Sequence, residues 1–316
     1  MKLIVSELRA LSRYVSREFY FIMAELIATY GWKHVETLQL LHSRGSLKER
    51  ILRETEEMPD VILFWESYSL LNPLAKEVFD LECLKCFFAD DLHWWREDKK
   101  TVNYVAYLLC DIILSPYAYR VDEFYPGLRG LKRIHWVPHS ASPDFLIGYN
   151  ERPENAILLS GAIDDSYPLR QKMKRLREQQ SYPISLHRHP GYHCQHDYNA
   201  SRSVGRSYAE EINRHRAAFT DCLKFRYVVA KYFEIPATGA LLLADGAVSA
   251  PLKELGFISG QHYISVTGDD MEEKVRYVLD ERNHSRTDEM RRRAQSLVRE
   301  KHKTEDRARL IDSVCR

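Results

Sequence analysis

Short apolar runs alternate with helical stretches along the whole chain, and this alternation constrains the fold more than any other feature. Residues 61–65 read VILFW, and residues 240–244 read ALLLA. A strand that is apolar on both faces fits the middle of a parallel sheet, where helices cover both faces. We therefore predict an α/β protein whose parallel strands are connected by helices.

The predicted elements fall into two series. The strands of the first series are Leu3–Ser6, Val61–Trp65, Leu84–Phe88, Ile112–Leu114 and Ile134–Val137. The strands of the second series are Ala156–Ser160, Pro183–His187, Leu241–Ala244 and Tyr263–Val266. Helices are predicted at Ser12–Tyr30, Leu169–Gln179, Tyr208–Ala218 and Val228–Phe233, with a charged helix or pair of helices over Arg286–Arg316.

Turn residues near the midpoint indicate a linker, where Pro138, Pro143 and the polar run GYNERPEN separate the two series. A chain of 316 residues exceeds the usual size of one core, so two domains are expected. We predict an N-terminal Rossmann-like domain over residues 1–150, a C-terminal one over 151–285, and a helical tail over 286–316 that packs back on the first. Ligands of open α/β sheets bind at the carboxyl ends of the strands, which predicts a site in a cleft between the domains.

The composition excludes several classes of protein. The 46 basic and 45 acidic residues create no general field that would attract nucleic acid. No window reaches the roughly 18 uninterrupted apolar residues of a membrane span. The six cysteines are scattered, without the spacing of a disulfide framework. We expect a cytoplasmic protein in a reducing compartment, with neither a nucleic-acid partner nor a membrane span.

Glu234 lies where a helix, interrupted by Pro236, leads through Gly239 into an apolar strand. A carboxylate at such a junction can accept two hydrogen bonds from a vicinal diol such as a ribose. The alternative is a solvated helix residue, because charged side chains are mostly exposed.

Gly161 follows the predicted strand AILLS directly, and a basic helix containing Arg170 comes next. A glycine at this point lets the backbone approach a ligand, and the helix start presents free amides to an anion. Arg170 is the predicted diphosphate contact because its planar fork suits phosphate oxygens. Lys172 and Lys174 fit an exposed basic face equally well.

Further candidates lie after other predicted strands. Asp91 and His93 follow LKCFF, where a carboxylate or an imidazole could act as general base toward an acceptor hydroxyl, or could cap a helix and pack beside tryptophans. Glu66, His139 and His189 could contact the sugar or the acceptor. His189 lies in the histidine-rich loop HRHPGYHCQH, which lacks the spacing of a zinc site and could instead contact phosphate or remain solvated.

Some nucleotide-binding motifs are missing from the sequence. The chain contains no G-x-x-x-x-G-K-[ST], no G-x-G-x-x-G after a strand and no D-x-D. These absences disfavour a P-loop enzyme and a dinucleotide dehydrogenase. We expect no metal and no cofactor, so side chains and a helix terminus would neutralise a bound diphosphate.

The second half of the chain resembles the group 1 glycosyltransferases of the GT-B fold, especially their spore-maturation glycosyltransferase-like branch. Four segments carry this resemblance: Leu158–Arg170, Ser207–Phe219, Lys231–Asp245 and His302–Ile311.

The resemblance implies two Rossmann-like domains and a metal-independent transfer from a nucleotide diphosphate-sugar to a glycan or small-molecule acceptor. By motif position it implies that Glu234 binds the donor ribose and that Gly161 and Arg170 hold the diphosphate. The predicted donor-binding set also includes Lys231, Tyr208, Thr238 and Gly239.

One departure from the family pattern leaves other functions open. Many relatives have a second glutamate eight residues before the ribose-binding one, and Arg226 stands at that position here. A glycosyltransferase of hexosyl or pentosyl groups is therefore the leading hypothesis. The alternatives are a catalytically inactive nucleotide-sugar-binding module and a GT-B-like nucleotide-sugar epimerase.

Overall fold

The computed structural model of the chain describes residues 1–93, 97–180, 182–192 and 195–316. Two parallel sheets with helices make up the described fold. The predicted α/β class and the parallel pairing are therefore confirmed.

The first sheet has six strands in the order β2-β1-β3-β4-β5-β6, all paired in parallel. Its wholly buried strand VILFW pairs on both sides, as its apolar sequence predicts. The strands are β1 (Lys2–Ser6), β2 (Lys33–Glu36), β3 (Val61–Trp65), β4 (Leu84–Phe88), β5 (Ile112–Ser115) and β6 (Arg133–Trp136).

The second sheet has five parallel strands in the order β11-β10-β9-β7-β8. The apolar strand LLLAD pairs with a neighbour on each side and is buried except at its final residue. The strands are β7 (Glu154–Ser160), β8 (Ile184–His187), β9 (His215–Thr220), β10 (Leu241–Asp245) and β11 (Tyr263–Val266).

Helices and short 3-10 turns connect the strands. The α-helices are α1 (Leu8–Leu11), α2 (Glu18–Tyr30), α3 (Thr37–His42), α4 (Leu47–Thr55), α5 (Tyr68–Leu71), α6 (Ala75–Phe79), α7 (Glu97–Leu109), α8 (Val121–Phe124), α9 (Leu128–Leu131), α10 (Pro168–Gln180), α11 (Gly205–Arg214), α12 (Lys231–Ala237), α13 (Ser249–Glu254), α14 (Met271–Leu279), α15 (His284–Lys301) and α16 (Thr304–Val314). The 3-10 turns are Ala118–Arg120, Pro143–Phe145, Gly246–Val248 and Glu281–Asn283.

Two strands were missing from the sequence prediction. Strand β2 reads KHVE and forms the edge of its sheet, so its single buried residue gives no alternating pattern. Strand β9 reads HRAAFT, and the prediction assigned its first four residues to the helix Tyr208–Ala218. That assignment was wrong. The alanines of β9 favour a helix locally, but the segment is buried between β7 and β10 and forms a strand.

Three predicted helices have different bounds in the structure. The predicted helix Ser12–Tyr30 begins only at Glu18. The predicted helix Val228–Phe233 begins at Lys231 and continues through Pro236 to Ala237, because a proline in the last turn disturbs few hydrogen bonds. The charged tail forms two helices, α15 and α16.

The chain divides into two compact units that do not follow the predicted boundaries. Unit 1 comprises residues 1–12, 19–138 and 305–316, and unit 2 comprises residues 13–18 and 139–304. The division lies at Pro138, before the predicted boundary at residue 150. Just after this division, the amide of Ala141 donates to the carbonyl of His302 of the same unit, 2.8 Å away. Helix α15 belongs to unit 2, whereas nearly all of α16 belongs to unit 1.

Each unit has its own hydrophobic core. In unit 1, Ala308 and Ile311 of α16 pack with the sheet residues Ile4, Leu63 and Leu114. In unit 2, the core combines sheet residues with side chains of the surrounding helices. No helix in the described ranges is long and apolar enough to cross a membrane.

Candidate functional site

The strand order of unit 2 indicates where a ligand would bind. Strands β7 and β9 are neighbours, and the connections that leave their carboxyl ends run to opposite edges of the sheet. Open α/β sheets bind ligands at such a topological switch point. Here β7 ends at Ser160 and β9 at Thr220, so Gly161 and Asp221 lie at the predicted position.

Gly161 brings two cationic side chains close to the backbone. Its φ of +97° lies in the left-handed region that favours glycine. A Cβ at this position would lie 2.6 Å from Nη1 of Arg170 and 3.1 Å from Cε of Lys231. The structure therefore brings together three residues of the predicted donor-binding set.

Arg170 is buried, with 2% of its surface exposed, and makes its contacts inside the protein. Its Nε lies 3.0 Å from Oδ1 of Asp221, and its Nη2 donates to Oγ1 of Thr220 over 3.1 Å. Its Nη1 donates to the carbonyl of Ala162, and its guanidinium stacks over the ring of Tyr167, 3.8 Å from the centroid. Arg170 thus holds the loop after β7 against the end of β9.

Asp221 also occupies the start of helix α10. Its Oδ2 accepts a hydrogen bond from the backbone amide of Arg170 over 3.0 Å. Burial raises the pKa of Asp221, while the Arg170 guanidinium and amide act in the opposite direction. The start of this helix was expected to present its free amides to a diphosphate. One of these amides already donates to the Asp221 carboxylate.

Lys231, at the start of α12, is the more accessible cation. Its Nζ donates to the Tyr208 hydroxyl over 2.6 Å, and that hydroxyl lies 2.6 Å from Oγ of Ser160. Burial disfavours the charged form of Lys231, but the Tyr208 hydroxyl and the Glu234 carboxylate outweigh it, so the pKa of Lys231 is raised. Lys231 thus stays protonated beside the end of β7.

Glu234 lies one turn further along α12 and is 5% exposed. Within the described residues, no donor makes a hydrogen bond to its carboxylate, although the charge of Lys231 acts on it. Burial raises the pKa of Glu234 to about 7; Lys231 opposes this rise, and the nearby Glu18 adds to it. A buried carboxylate without a donor is costly unless water or a ligand supplies the hydrogen bonds.

Thr238 and Gly239 lie deeper than the other predicted donor-binding residues. Thr238 is fully buried, and its hydroxyl donates to the carbonyl of Ile235 over 2.7 Å. Gly239 has a φ of +86°, and a Cβ there would lie 2.9 Å from the ring of Tyr149. Both residues shape the turn that carries α12 into β10.

The loop between β9 and α12 contains two non-glycine residues in the left-handed region. Leu223 has a φ of +56° and Arg226 a φ of +57°. Such conformations cost roughly 1–2 kcal/mol each and often occur near functional sites. Arg226, which replaces the family's earlier glutamate, is exposed in this loop.

His139 is held by a buried carboxylate of the same unit. Its Nδ1 lies 2.8 Å from Oε2 of Glu18, the first residue of α2. The other oxygen of Glu18 accepts hydrogen bonds from the amide and the hydroxyl of Ser140. Both Glu18 and His139 act electrostatically on Glu234.

The candidates for base and acceptor contacts, except His139 and His189, lie in unit 1. Glu66 follows β3 with a φ of +48°, and its Oε1 accepts the amide of Asp90 over 3.3 Å. Asp91 is exposed, and its Oδ1 lies 3.6 Å from Nδ1 of the buried His93. Glu66, Asp91 and His93 follow the neighbouring strands β3 and β4, as the sequence predicts.

The sequence reasoning missed Asp221, Tyr167 and Glu18. Asp221 follows β9, which was taken for a helix, so no strand end was predicted before it. The run AAFTD, an apolar segment ended by aspartate, could have indicated that strand end. Glu18 lies far from His139 in sequence, and no local pattern connects the two residues.

No group of three or more potential metal-binding side chains occurs in the ranges that the structure describes. His189 and His196 of the histidine-rich loop lie within those ranges, whereas His193 and Cys194 lie outside them.

Comparisons with known proteins agree with this architecture. Residues 170–313 match the model of a family described as glycosyl transferase-like. No curated protein sequence matches the chain.

Several solved structures are similar over nearly the whole chain. Sucrose-phosphate synthase from Thermosynechococcus elongatus is 9% identical, with a TM-score of 0.65 over 99% of this chain and 97% of that one. An α-glucosyltransferase in complex with UDP and a 13-mer DNA is 10% identical, with a TM-score of 0.64 over 100% and 99%. The Anabaena protein HepE in complex with UDP and glucose is 9% identical, with a TM-score of 0.59 over 99% of each chain.

The chain therefore has the GT-B fold, with two Rossmann-like domains that each contain a parallel sheet. The predicted fold class is confirmed.

Proposed function

We propose that the protein is a metal-independent glycosyltransferase that binds a nucleotide diphosphate-sugar in unit 2 and transfers its sugar to a glycan or small-molecule acceptor. The observation that carries this proposal is Glu234, a buried carboxylate near the switch point to which no described residue donates a hydrogen bond. A ribose diol would supply the two donors that this carboxylate needs.

The proposed donor-binding residues either provide positive charge or position other residues. Lys231 provides the accessible positive charge for the diphosphate, and the backbone at Gly161 allows close approach. Arg170 adds positive charge and holds the loop in place through Asp221 and Thr220. Tyr208 positions the Lys231 ammonium, and the turn at Thr238 and Gly239 positions α12.

Catalysis in this proposal rests on stabilisation of the departing diphosphate. Preorganised positive charge at a leaving group lowers the barrier without reorganisation during the reaction. If the configuration inverts, Asp91 or His93 takes the proton of the acceptor hydroxyl. If the configuration is retained, the leaving phosphate takes this proton, and Asp91 positions the acceptor. Glu66 and His139 are proposed contacts of the acceptor or the sugar.

Membership of the spore-maturation glycosyltransferase-like branch and a cytoplasmic location are part of the proposal. Five described cysteines are free thiols, which suits a reducing compartment: Cys83, Cys86, Cys110, Cys222 and Cys315. Two similar structures, both of an α-glucosyltransferase, contain DNA. The balanced charge of this chain nevertheless favours an acceptor other than nucleic acid.

The proposal is tested by incubating the protein with a panel of nucleotide sugars and measuring thermal shift, donor hydrolysis and transfer. Each reaction is run with EDTA and with added Mg²⁺. We expect at least one donor to stabilise the protein and to be turned over equally in both conditions. Glu234→Ala should reduce the thermal shift at a given donor concentration, whereas the exposed Glu210→Gln should keep it.

The same panel separates the alternatives. Stabilisation without turnover would indicate a binding module, and an isomerised free donor would indicate an epimerase. If the protein is folded and no donor stabilises it or is turned over, the proposal is wrong.

A further inference from the structure

Unit 1 exposes three large apolar side chains, which we call the apolar patch: Phe79 (72% exposed), Leu131 (63%) and Leu108 (40%). They lie in the last turns of helices α6, α9 and α7, respectively. These helices lead into the neighbouring strands β4, β6 and β5. The patch therefore lies at the amino ends of the strands, whereas open α/β sheets bind ligands at the carboxyl ends.

The three side chains also share one face of the sheet. From β3 to β6 the chain adds each strand on the same side of the previous one, and right-handed crossovers then place every connecting helix on one face. Contacts on this face agree, because α6 packs against α7 and Nζ of Lys132 donates to the carbonyl of Leu108 over 2.7 Å. Large apolar side chains exposed together on one face mark an interaction surface.

The end of the patch at Phe79 is acidic. Asp80 and Glu82 lie between Phe79 and β4, and both are exposed. Asp80 pairs with Lys76 over 2.6 Å, whereas Glu82 forms no ion pair among the described residues. The Glu82 carboxylate is therefore available to a partner.

The end of the patch at Leu131 is basic. Lys132 and Arg133 follow Leu131 directly, and Arg133 is exposed without an ion pair in the described part of the chain. Between the two ends, Lys85 and Asp111 carry opposite charges, and the Asp111 carboxylate accepts the amide of Lys85 over 2.8 Å. Because β5 lies between β4 and β6, the acidic and basic ends lie on opposite sides of the apolar centre.

We propose that two copies of this chain associate through the apolar patch, about a two-fold axis near Leu108. Such an axis turns the patch end for end, so Phe79 faces Leu131 of the partner subunit and Glu82 pairs with the partner's Arg133. A two-fold interface requires a self-complementary surface, and a patch with opposite charges at its two ends meets this requirement. An anionic membrane is a poorer occupant, because Glu82 would face its headgroups.

Sedimentation velocity measures this association over protein concentrations from about 1 to 100 µM, where a weak interface is populated. We expect a reversible equilibrium between monomer and dimer. Leu131→Ser should weaken the dimer about tenfold, because it removes an apolar contact from each half of the interface. Leu38→Ser is the matched control, since Leu38 is 49% exposed on α3 of the same unit, and it should leave the equilibrium unchanged.

A charge exchange tests the two-fold arrangement itself. Arg133→Glu and Glu82→Arg should each weaken the dimer about fivefold or more, because each variant brings like charges together at both ends. An equimolar mixture of the two variants should associate like the wild type. In the mixed dimer one Glu82–Arg133 contact keeps its native charges, and the other has both charges reversed. Lys48→Glu, an exposed charge reversal on α4, is the control and should associate like the wild type.

Three results would overturn the inference, provided that circular dichroism shows folded variants. The first is a chain that stays monomeric at every concentration. The second is a dimer that Leu131→Ser leaves unchanged, which would place the interface elsewhere. The third is a mixture of the two charge variants that stays as weak as each variant alone. Monomers that bind phosphatidylcholine–phosphatidylglycerol vesicles, and lose this binding in Leu131→Ser, would assign the patch to a lipid surface instead.

Discussion

The two units have sheets with similar strand order, yet their switch points carry different chemistry. In unit 1, Oγ of Ser67 donates to the carbonyl of Val5 over 2.9 Å and lies 3.1 Å from Oγ1 of Thr37. The exposed carboxylates of Glu66 and Asp91 follow the neighbouring strands. In unit 2, the corresponding point is formed by Asp221 and by residues that we assign to donor binding, with positive side chains beside two buried carboxylates: Gly161, Arg170, Asp221, Lys231 and Glu234.

This difference shows how one sheet topology can serve two partners. An anionic diphosphate is favoured where Lys231 stays protonated, and an acceptor hydroxyl is favoured where carboxylates can accept its proton. The assignment of the donor to unit 2 and of the base to unit 1 therefore follows from charge. The predictions below test each half of this assignment separately.

The largest effect is expected in unit 1. If the configuration inverts with Asp91 as the general base, Asp91→Asn should lower the rate of transfer by about 10²- to 10⁴-fold, because an amide cannot accept the proton. The dissociation constant of UDP should stay unchanged, since Asp91 belongs to the other unit. Steady-state kinetics and calorimetry measure the two quantities. Asp80→Asn, an exposed partner of Lys76, is the control and should retain full activity. Weaker UDP binding in Asp91→Asn would contradict the assignment of the donor to unit 2 and of the base to unit 1.

In unit 2, Lys231→Met should lower the rate of donor turnover by about 10²- to 10³-fold, since loss of one preorganised charge at a leaving group costs this much. The methionine keeps most of the apolar length of the lysine, so the fold should persist. Circular dichroism checks the fold, and hydrolysis of the best donor measures the rate. Lys174→Met removes an exposed lysine of α10 and should behave as wild type. Equal rates in both variants would exclude Lys231 from the site.

Glu234→Ala should weaken nucleotide binding by about 1.5 to 3 kcal/mol, which is typical for hydrogen bonds to a charged group. Calorimetry with UDP and with the deoxyribose analogue dUDP measures this loss. The wild type should prefer UDP, and the variant should lose most of that preference, because a diol needs both hydroxyls. A preference that survives in the variant would place the ribose elsewhere.

The smallest effect concerns stability and pH. The folded-state pKa of Glu234, about 7, exceeds its ordinary value of 4.5, so the native state binds a proton that the unfolded chain has lost between these values. Stability should therefore fall as pH rises through this window. Glu234→Gln cannot ionise, so its advantage over wild type should grow from near zero at pH 4.5 to about 1 to 2 kcal/mol at pH 8. Urea denaturation at both pH values measures this advantage; a constant difference would contradict the assigned cause.

The sequence predicted the fold well where apolar runs are continuous. The strand Val61–Trp65 has its predicted bounds, because a fully buried strand has a pattern that depends little on its neighbours. It failed at β9, whose alanines and arginine resemble a helix and become a strand only between β7 and β10. The predicted boundary at residue 150 differs from the division at Pro138. A polar run in the sequence indicates where the chain can turn, but it does not show with which unit the residues around it pack.

The sequence by itself determined the chemical types at the candidate site: a glycine after β7, a basic residue in α10, and the glutamate of α12. These follow from local order, since glycine, proline and short apolar runs act over a few residues. The tertiary structure alone decided which side chains meet. It paired Arg170 with Asp221 and Glu18 with His139, and it left Glu234 buried without a donor among the described residues. Contacts between residues distant in sequence depend on how the strands are ordered in the sheet, and no local pattern in the chain records that order.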